Sequence, residues 1–215
     1  MTMPTPSLSS PALRRSARGE RTRERILSVA EKLFAERGFA GASLRDVAGR
    51  VGIRTPSLYN HFSSKEALYE AVLSRAIRPL VELLSDVAAR DAPRQSSRVI
   101  VERVMEHLRQ HPLLPRLVQQ EVVCGGERLS PALREWLGPI FAHAHHLTRE
   151  RSRRWSPDEI PHVVLAIYNA VLGYFTMAPL CAEIGGLDLL SSAALERQTR
   201  ILGELAESLL SKTEA

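Results

Sequence analysis

The stretch SLRDVAGRVGIRTPSLYNHFSSK, residues 43–65, decides the fold of this chain. Its first residue is a favourable helix N-cap, and Asp46 stands three residues later at the acidic capping-box position. Apolar residues then recur at helical spacing until Gly52, where a helix can end in a left-handed conformation. Thr55 is the N-cap candidate of a second helix, with Pro56 at its first helical position. The pattern therefore predicts two short helices joined by a tight turn.

Two helices at this spacing are typical of a helix-turn-helix, whose second helix enters the major groove of DNA. Leu58 and Phe62 point back towards the first helix, and the small Ala48 lets the two helices approach closely. A plain helical hairpin would show the same spacing. The preceding helix, predicted over residues 20–37, has one apolar face and ends at Gly38. The three helices together form one unit.

The same region resembles the DNA-binding head of the TetR family of transcriptional regulators. The resemblance rests on the string TPSLYNHFSSKEAL and on RERILSVAEKLFAERGFAGASLRDVAGRVGI before it, and it covers residues 21–73. Arg54 and Asn60 depart from the commonest family pattern, at positions that bear on which operator is recognised. Beyond this region the resemblance rests on length and helical pattern alone.

This resemblance implies an all-α fold, with a three-helix helix-turn-helix DNA-binding head and a roughly six-helix ligand-binding and dimerisation domain. The expected domains are a disordered basic arm over residues 1–19, the head over residues 20–65 and the second domain over residues 66–215. The implied function is that of a homodimeric repressor, which binds a palindromic double-stranded DNA operator and is released by a small-molecule effector. The implied DNA contacts are Ser43, Arg45, Arg54, Thr55, Pro56, Ser57, Tyr59, Asn60, His61 and Lys65.

The charge distribution supports a nucleic-acid partner for the head. The chain has 215 residues and a net charge of +5, but residues 1–65 hold 12 Lys and Arg against 5 Asp and Glu. Residues 66–215 hold 17 against 19, so the basic excess lies in the segment with the helix-turn-helix. A clustered excess of this kind is the electrostatic footprint of phosphate binding. In the arm, Arg14, Arg15 and Arg18 either contact DNA or belong to a solvated tail.

Cysteine content and apolar runs indicate a cytoplasmic protein without a membrane partner. The two cysteines give no disulfide framework, and the N-terminal residues lack the apolar core of a secretory signal. The longest apolar stretch, residues 163–182, is interrupted by Asn169, Gly173 and Pro179. A buried helix therefore explains it better than a membrane span.

The second domain is predicted to contain helices over residues 65–89, 94–110, 113–123, 131–154, 157–178 and about 192–211. The helix over 157–178 is apolar almost all round, so it needs neighbours on every side, from this chain or from another copy. Leucines repeat every seven residues in the last helix, which is typical of a helix-bundle interface. Packing within one chain would produce the same stripe. The expected dimer contacts are Ile167, Val171, Gly173, Leu195, Leu202, Leu205 and Leu209.

The resemblance also implies an effector pocket within residues 95–180. Mostly apolar walls with a few polar groups are the usual composition of such pockets, although each wall residue is equally explained as ordinary core. Glu121 and Asn169 are of special interest, because unpaired polar groups are costly inside a helical core. The pocket candidates are Leu113, Leu117, Gln120, Glu121, Cys124, Trp136, Ile140, Phe141, Val164, Tyr168, Asn169 and Leu172.

No sequence motif indicates an enzyme or a cofactor. The phosphate-binding, nucleophile-elbow and zinc-protease patterns are all missing from the sequence. The alternative function is a metal sensor or a metal-dependent helical enzyme, because imidazoles hold zinc or nickel. Its ligands would come from His107 and His111, or from the cluster His143, His145 and His146. Neither set has a cysteine or carboxylate partner at a convincing spacing, so no metal site is expected.

Overall fold

The computed structural model describes residues 11–89, 97–125 and 154–210, together with residues 133, 134, 138, 141, 142 and 145. This described part of the chain contains eight α-helices and no strand, which confirms the all-α class. The predicted helix over 131–154 lies mostly outside it. The helices are α1 Pro11–Gly41, α2 Leu44–Val51, α3 Thr55–Tyr59, α4 Lys65–Ala89, α5 Ser97–Gln110, α6 Leu114–Gly125, α7 Ile160–Gly185 and α8 Ser192–Leu210.

The chain divides into two compact units, residues 1–72 (unit 1) and residues 73–215 (unit 2). The division falls inside α4 rather than at its start, so α4 contributes side chains to both units. In unit 1, α2 packs on α1 and on α3 around an aliphatic core. The buried side chains of this core include Ile26, Leu27, Ala30, Leu33, Phe34, Val47, Ala48, Val51, Leu58, Phe62, Leu68 and Val72.

Helix α1 begins at Pro11, so the expectation of a disordered arm is wrong for residues 11–19. Proline fits the first turn of a helix, and the Ala, Leu and Arg residues that follow are strong helix formers. These residues extend a helix that packing has already nucleated, and each added residue gains a backbone hydrogen bond without a new nucleation cost. Residues 1–10 of the predicted arm lie outside the described part of the chain.

The end of α1 is set by Gly38, as the sequence predicts. Its backbone has φ +70° and ψ 172°, which breaks the helix geometry before Gly41. The chain beyond it is held by aromatic contacts. The ring of Tyr69, in α4, meets Phe34 edge-on at 4.9 Å and lies 5.0 Å from Phe39. These contacts fix the first turns of α4 to α1.

Unit 2 is built around α8, which packs along α5 and also contacts α7, while α6 packs on α7. Helices α5 and α8 approach closely at Gly203, where an added Cβ would lie 3.0 Å from Cγ of Arg98. An added Cβ at Gly173, a predicted dimer contact, meets nothing within 4 Å in the single chain, so that contact remains a prediction. The buried side chains of unit 2 include Ile77, Val101, Met105, Leu108, Leu114, Leu117, Val164, Phe175, Leu195 and Leu202.

Helix α7 differs from its predicted bounds at both ends. Residues 157–159 form a turn, in which the Glu159 carboxylate accepts from the backbone N–H of Ser156 at 2.8 Å, and the helix begins at Ile160. It continues past Pro179 to Gly185, where Gly186 closes it with φ +63°. A proline removes one helical hydrogen bond, but burial of Phe175 and Ala178 beside it offsets that loss.

Candidate nucleic-acid interface

The turn between α2 and α3 has the geometry that its glycine predicts. Gly52 adopts φ +77° and ψ 34°, and its backbone N–H donates to Ala48 O at 3.0 Å. The N–H of Ile53 donates to the same carbonyl at 3.0 Å. These bonds satisfy carbonyls that the end of α2 leaves without helical partners. They also fix the direction in which the chain enters α3.

The start of α2 is capped as predicted. The Ser43 hydroxyl oxygen accepts from the backbone N–H of Asp46 at 3.1 Å, and the hydroxyl donates to the Asp46 carboxylate at 2.7 Å. This hydroxyl bond, reinforced by the nearby Arg37 guanidinium, holds the pKa of the Asp46 carboxyl below its usual value. The Ser43 hydroxyl is therefore occupied within the fold. Its predicted DNA contact remains a prediction.

Helix α3 begins one residue earlier than the sequence predicts. Its N-cap is Arg54, which makes no side-chain capping bond, so the expectation of Thr55 as the cap is wrong. The Arg54 carbonyl accepts from the backbone N–H groups of Ser57 at 2.9 Å and Leu58 at 3.3 Å. Pro56 takes the second helical position. In any helix the backbone N–H at the second position lacks a helical acceptor, as the one at the first position does. Proline, which has no N–H, is therefore tolerated at either position.

The two sides of α3 have opposite character. Leu58 is 0% exposed and packs in the core, and Phe62, just beyond the helix, is buried beneath the Arg23 guanidinium at 5.2 Å. On the other side Tyr59 is 53% exposed, the one large hydrophobic side chain that stands out in the described part of unit 1. Pro56, Ser57 and Asn60 are also exposed, and Thr55 is half-buried. The predicted groove-facing residues thus share an open surface that buried neighbours hold in place.

The arginines around this surface fall into two groups. Arg50 pairs with Glu36 at 3.0 Å, and Arg37 lies 3.8 Å from Asp46, so their charges are partly neutralised within unit 1. Arg45 and Arg54 are exposed, and neither has an ion-pair partner within the described ranges. Their charge is available to an external anion. The resemblance implies DNA contacts for Arg45 and Arg54 but not for Arg37 or Arg50, and the ion pairs separate the same two groups.

Two further predicted phosphate contacts, His61 and Lys65, are half-buried. The Lys65 ammonium lies 4.4 Å from the centre of the Phe39 ring and donates to Ala40 O at 3.4 Å. An ammonium has three donors, so this contact leaves room for a phosphate. The structure nevertheless gives Lys65 a role inside unit 1, where it covers the chain after Gly38.

The effector-pocket candidates are distributed over the contact between α6 and α7. Leu117, Val164 and Leu172 are buried; Leu113, Gln120 and Glu121 are half-buried. Tyr168 is half-buried with its ring 5.4 Å from Phe141, and burial raises the pKa of its phenol. The expectation of a buried Asn169 is wrong, because this side chain is exposed and donates to Leu165 O at 2.8 Å. Trp136, Ile140 and the Cys124 side chain lie outside the described part.

A cleft of about 580 Å³ lies elsewhere, between α5 and α8. Its walls are largely charged, and neighbouring residues pair across single helix turns, as Arg109 does with Glu106 at 2.7 Å. Sequence reasoning did not find it, because periodicity within one helix does not reveal a groove between two.

The dimer candidates lie on the predicted helices, but several face inward. Val171, Leu195 and Leu202 are buried within the single chain. Ile167, Gly173 and Leu209 are half-buried, and Leu205 is exposed. The leucine repeat of α8 therefore mainly serves packing against its own chain. The exposed large apolar side chains of the last two helices are Leu165, Met177, Leu180, Ile184, Ile201 and Leu205.

The histidines do not assemble into a metal centre within the described residues, where no group of three metal-binding side chains occurs. The rings of His107 and His111 lie 4.7 Å apart, but His107 Nε2 bonds to Ala76 O at 2.7 Å. A carbonyl only accepts, so this nitrogen carries a proton and is not a free ligand. Burial lowers the pKa of His107. His143 and His146 lie outside the described part.

Comparisons with known proteins agree with this geometry. A family model described as bacterial regulatory proteins, tetR family, matches residues 26–72. The HTH-type transcriptional regulator EthR of Mycolicibacterium smegmatis is 33% identical over 189 residues, covering 81% of the chain and 82% of EthR. The HTH-type transcriptional activator FasR of the same species is 45% identical over 67 residues, covering 31% and 30%. The solved ketosteroid transcriptional regulator of Mycobacterium tuberculosis shares the fold, with a TM-score of 0.64, 18% identity and coverage of 86% and 93%. These proteins are regulators and not enzymes.

Proposed function

The chain belongs to the TetR family of bacterial transcriptional regulators, and we propose that it acts as a homodimeric repressor in the cytoplasm. In this proposal two copies of unit 1 bind the half-sites of a palindromic operator. A small molecule that binds unit 2 then releases the protein from DNA. The metal-based alternative has no support, since His107 is engaged with a backbone carbonyl.

The main observation behind the proposal is that one face of α3 is exposed to solvent and that two arginines beside it have no ion-pair partner in the described part of the chain. Tyr59 and Asn60 project from a helix whose opposite side is sealed by Leu58. An asparagine at such a position can pair bidentately with adenine in the major groove. Arg45 and Arg54 carry free charge for the phosphates on either side, and phosphate contacts fix the position of a protein on the duplex.

Dimerisation is supported by apolar surface that a single chain leaves uncovered. Only 33% of the most apolar window of α7 is buried, although the helix is long and apolar enough by composition to cross a membrane. Ile184 is 79% exposed, and Ile201 and Leu205 stand one turn apart on α8. Exposed large apolar residues on two helices that pack together are typical of a protein–protein interface. A second copy of the chain is the partner that a two-fold operator requires.

The effector proposal rests on the contact between α6 and α7. Leu117 and Val164 are buried apolar side chains there, and Tyr168 adds a phenol beside the Phe141 ring. An apolar site with few polar groups suits a largely apolar effector with one hydrogen-bonding group. Release from DNA requires that this effector prefer the form of the dimer that does not fit the operator.

The first test is selection of DNA by the purified wild-type protein from a random-sequence duplex library. We expect enrichment of a palindrome whose half-site centres are about 34 Å apart or a multiple of that spacing. Enrichment of no sequence would contradict DNA recognition, and enrichment of a single half-site would contradict the dimer.

The second test addresses repression and release. A reporter promoter that contains the selected palindrome should be less active when the protein is present, whereas an increase would make the protein an activator, as FasR is named. Compounds that restore the reporter are then titrated with and without the duplex. Linkage requires that compound and duplex weaken each other by the same factor, typically about 5–150-fold. Two ligands that bind independently would contradict ligand release.

A further inference from the structure

The N-terminal extension of α1 carries a row of arginines on one face. Arg18, Arg21 and Arg25 are spaced by three and then four residues, which places them on the same side of a helix with 3.6 residues per turn. Arg14 stands at the same register one turn earlier. Of the two acidic residues nearby, Glu20 lies on a different side of the helix, and Glu24, three residues after Arg21, lies 4.0 Å from the Arg23 guanidinium. Neither forms an ion pair with Arg18 or Arg21.

The position of this face is fixed by Arg25. Its guanidinium donates to Val51 O at 2.9 Å, at the last residue of α2 and one residue before the Gly52 turn. The arginine face of α1 is thus directed to the place where the chain turns into α3. Helical rise places Arg21 about 6 Å, and Arg18 about 10 Å, further along the axis from Arg25.

Ion pairing within unit 1 does not explain the positions of the Arg18 and Arg21 side chains. Both are exposed, and neither has an ion-pair partner among the residues that the structure describes. This distinguishes them from Arg23, which covers Phe62 and lies 4.0 Å from Glu24. Unpaired arginines in a row, next to a DNA-binding turn, match the repeated negative charges of a duplex backbone. Guanidinium groups bind phosphates through paired charge-assisted hydrogen bonds.

We propose that the α1 residues 18–25 form a second DNA contact, in which Arg18 and Arg21 bind backbone phosphates flanking the half-site that α3 contacts. The inference rests on the proposed DNA-binding function and adds a contact outside the helix-turn-helix. It predicts that each subunit protects more of the duplex than α3 alone can reach. Because phosphates carry no sequence information, this contact increases affinity equally for all flanking sequences.

The test compares wild-type protein with the double variant Arg18→Ala/Arg21→Ala on the duplex that the wild type selects from the random library. Loss of two phosphate contacts per subunit should reduce the slope of log K against log salt by about 1.8 per subunit. Affinity at moderate salt should fall about tenfold or more, because each lost contact is a hydrogen bond between charged groups. On a duplex trimmed of its flanks, the two proteins should bind equally.

The controls separate this contact from folding and from general charge. Alanine is the stronger helix former, so the variant should keep its far-ultraviolet circular dichroism. Arg18→Lys/Arg21→Lys keeps the charge and should keep most of the salt slope. The matched variant Arg103→Ala/Arg116→Ala removes two exposed arginines of unit 2 and should bind as wild type does.

The outcomes distinguish the two proposals. If the wild type selects a duplex and the Arg18/Arg21 variant binds it with an unchanged salt slope, the second contact is refuted while DNA recognition by α3 stands. An equal loss in the Arg103/Arg116 variant would also refute it, since the effect would then reflect total charge. If the wild type selects no duplex, the proposed function and this inference fail together.

Discussion

Units 1 and 2 differ in the kind of side chain that each leaves exposed to solvent. Unit 1 buries its aliphatic core almost completely and exposes charge and one tyrosine, Tyr59. Unit 2 buries a core of similar kind but leaves Met177, Leu180 and Ile184 exposed on one helix. A single chain therefore completes the packing of unit 1 but not of unit 2. The surface of unit 1 suits a polyanion, and that of unit 2 suits an apolar partner.

The largest expected difference between the two units is in how far the loss of one apolar side chain lowers the free energy of unfolding. Leu58→Ala should lower the free energy of unfolding by about 2–5 kcal/mol, because this α3 side chain is fully buried in the core of unit 1. Val123→Ala, at an apolar side chain of unit 2 that is 82% exposed, should change it by less than about 0.5 kcal/mol. Urea denaturation measures both. Equal losses would mean that Val123 is covered by a partner.

The second prediction concerns the apolar side chains of unit 2 that a single chain leaves exposed. Ile201→Glu/Leu205→Glu should weaken the dimer by about 3 kcal/mol, because like charges would face each other across a two-fold interface. Light scattering over a dilution series measures the dissociation constant. The monomer should keep its helical content, since both side chains are already exposed to water. A stable dimer in this variant would place the interface elsewhere.

The third prediction concerns the surface of unit 1. Tyr59→Ala should weaken binding to the selected duplex by about 2 kcal/mol, as loss of an exposed aromatic hot spot does. Asn60→Ala should instead relax the preference for one base pair per half-site, at a cost of roughly 1–3 kcal/mol on the preferred sequence. Binding to a panel of single-base variants measures both. A uniform loss in the Asn60 variant would place Asn60 on the phosphates.

The fourth prediction uses two glycines three residues apart in unit 1. Gly52→Ala should destabilise by about 1–2 kcal/mol, because φ +77° is strained for any residue with a Cβ. Gly49→Ala, inside α2 and exposed, should stabilise by about 0.5–1 kcal/mol. An added Cβ meets nothing within 4 Å at either site, so only backbone conformation distinguishes them. Thermal denaturation should shift in opposite directions.

The smallest effect is the pH dependence of the α2 cap. The pKa of Asp46 is lowered in the folded protein, chiefly by the Ser43 hydroxyl, so its contribution is complete above the ordinary value of 3.8. It is lost as pH falls through the lower, folded pKa. Asp46→Asn should therefore lower the stability slightly at pH 7–8 and flatten the acid limb of the stability curve, so that variant and wild type converge at low pH. A difference of the same size at every pH would contradict this assignment.

The sequence predicted unit 1 well because its signals are local. Ser43 and Gly52 each determine the conformation of their own helix end, and both behave as expected. Arg54 was missed as a cap because its contribution comes from a backbone carbonyl, which every residue has. The helical state of residues 11–19 was missed because helix extension from a folded neighbour leaves little trace in composition.

Unit 2 was predicted less well because its structure depends on which helix faces pack together, and no single helix sequence specifies that. The repeat of Leu195 and Leu202 showed that one side of α8 is buried, but not which surface covers it. The close approach of α5 and α8 at Gly203, where an added Cβ would lie 3.0 Å from Arg98 Cγ, was likewise not predicted from the sequence. Which face meets which depends on the angles between helices, and those angles are not encoded in any one segment.

Helix α4 has a consequence for the construction of hybrid regulators. Its first turns are bound to unit 1 through Tyr69, and its later residue Ala76 accepts a hydrogen bond from His107 of unit 2. A gene fusion that joins this DNA-binding region to a foreign sensor at residue 72 would cut through a continuous helix and exchange half of its partners. The transferable module is therefore residues 11–89, and a successful graft must supply a hydrogen-bond donor for the Ala76 carbonyl, in place of His107.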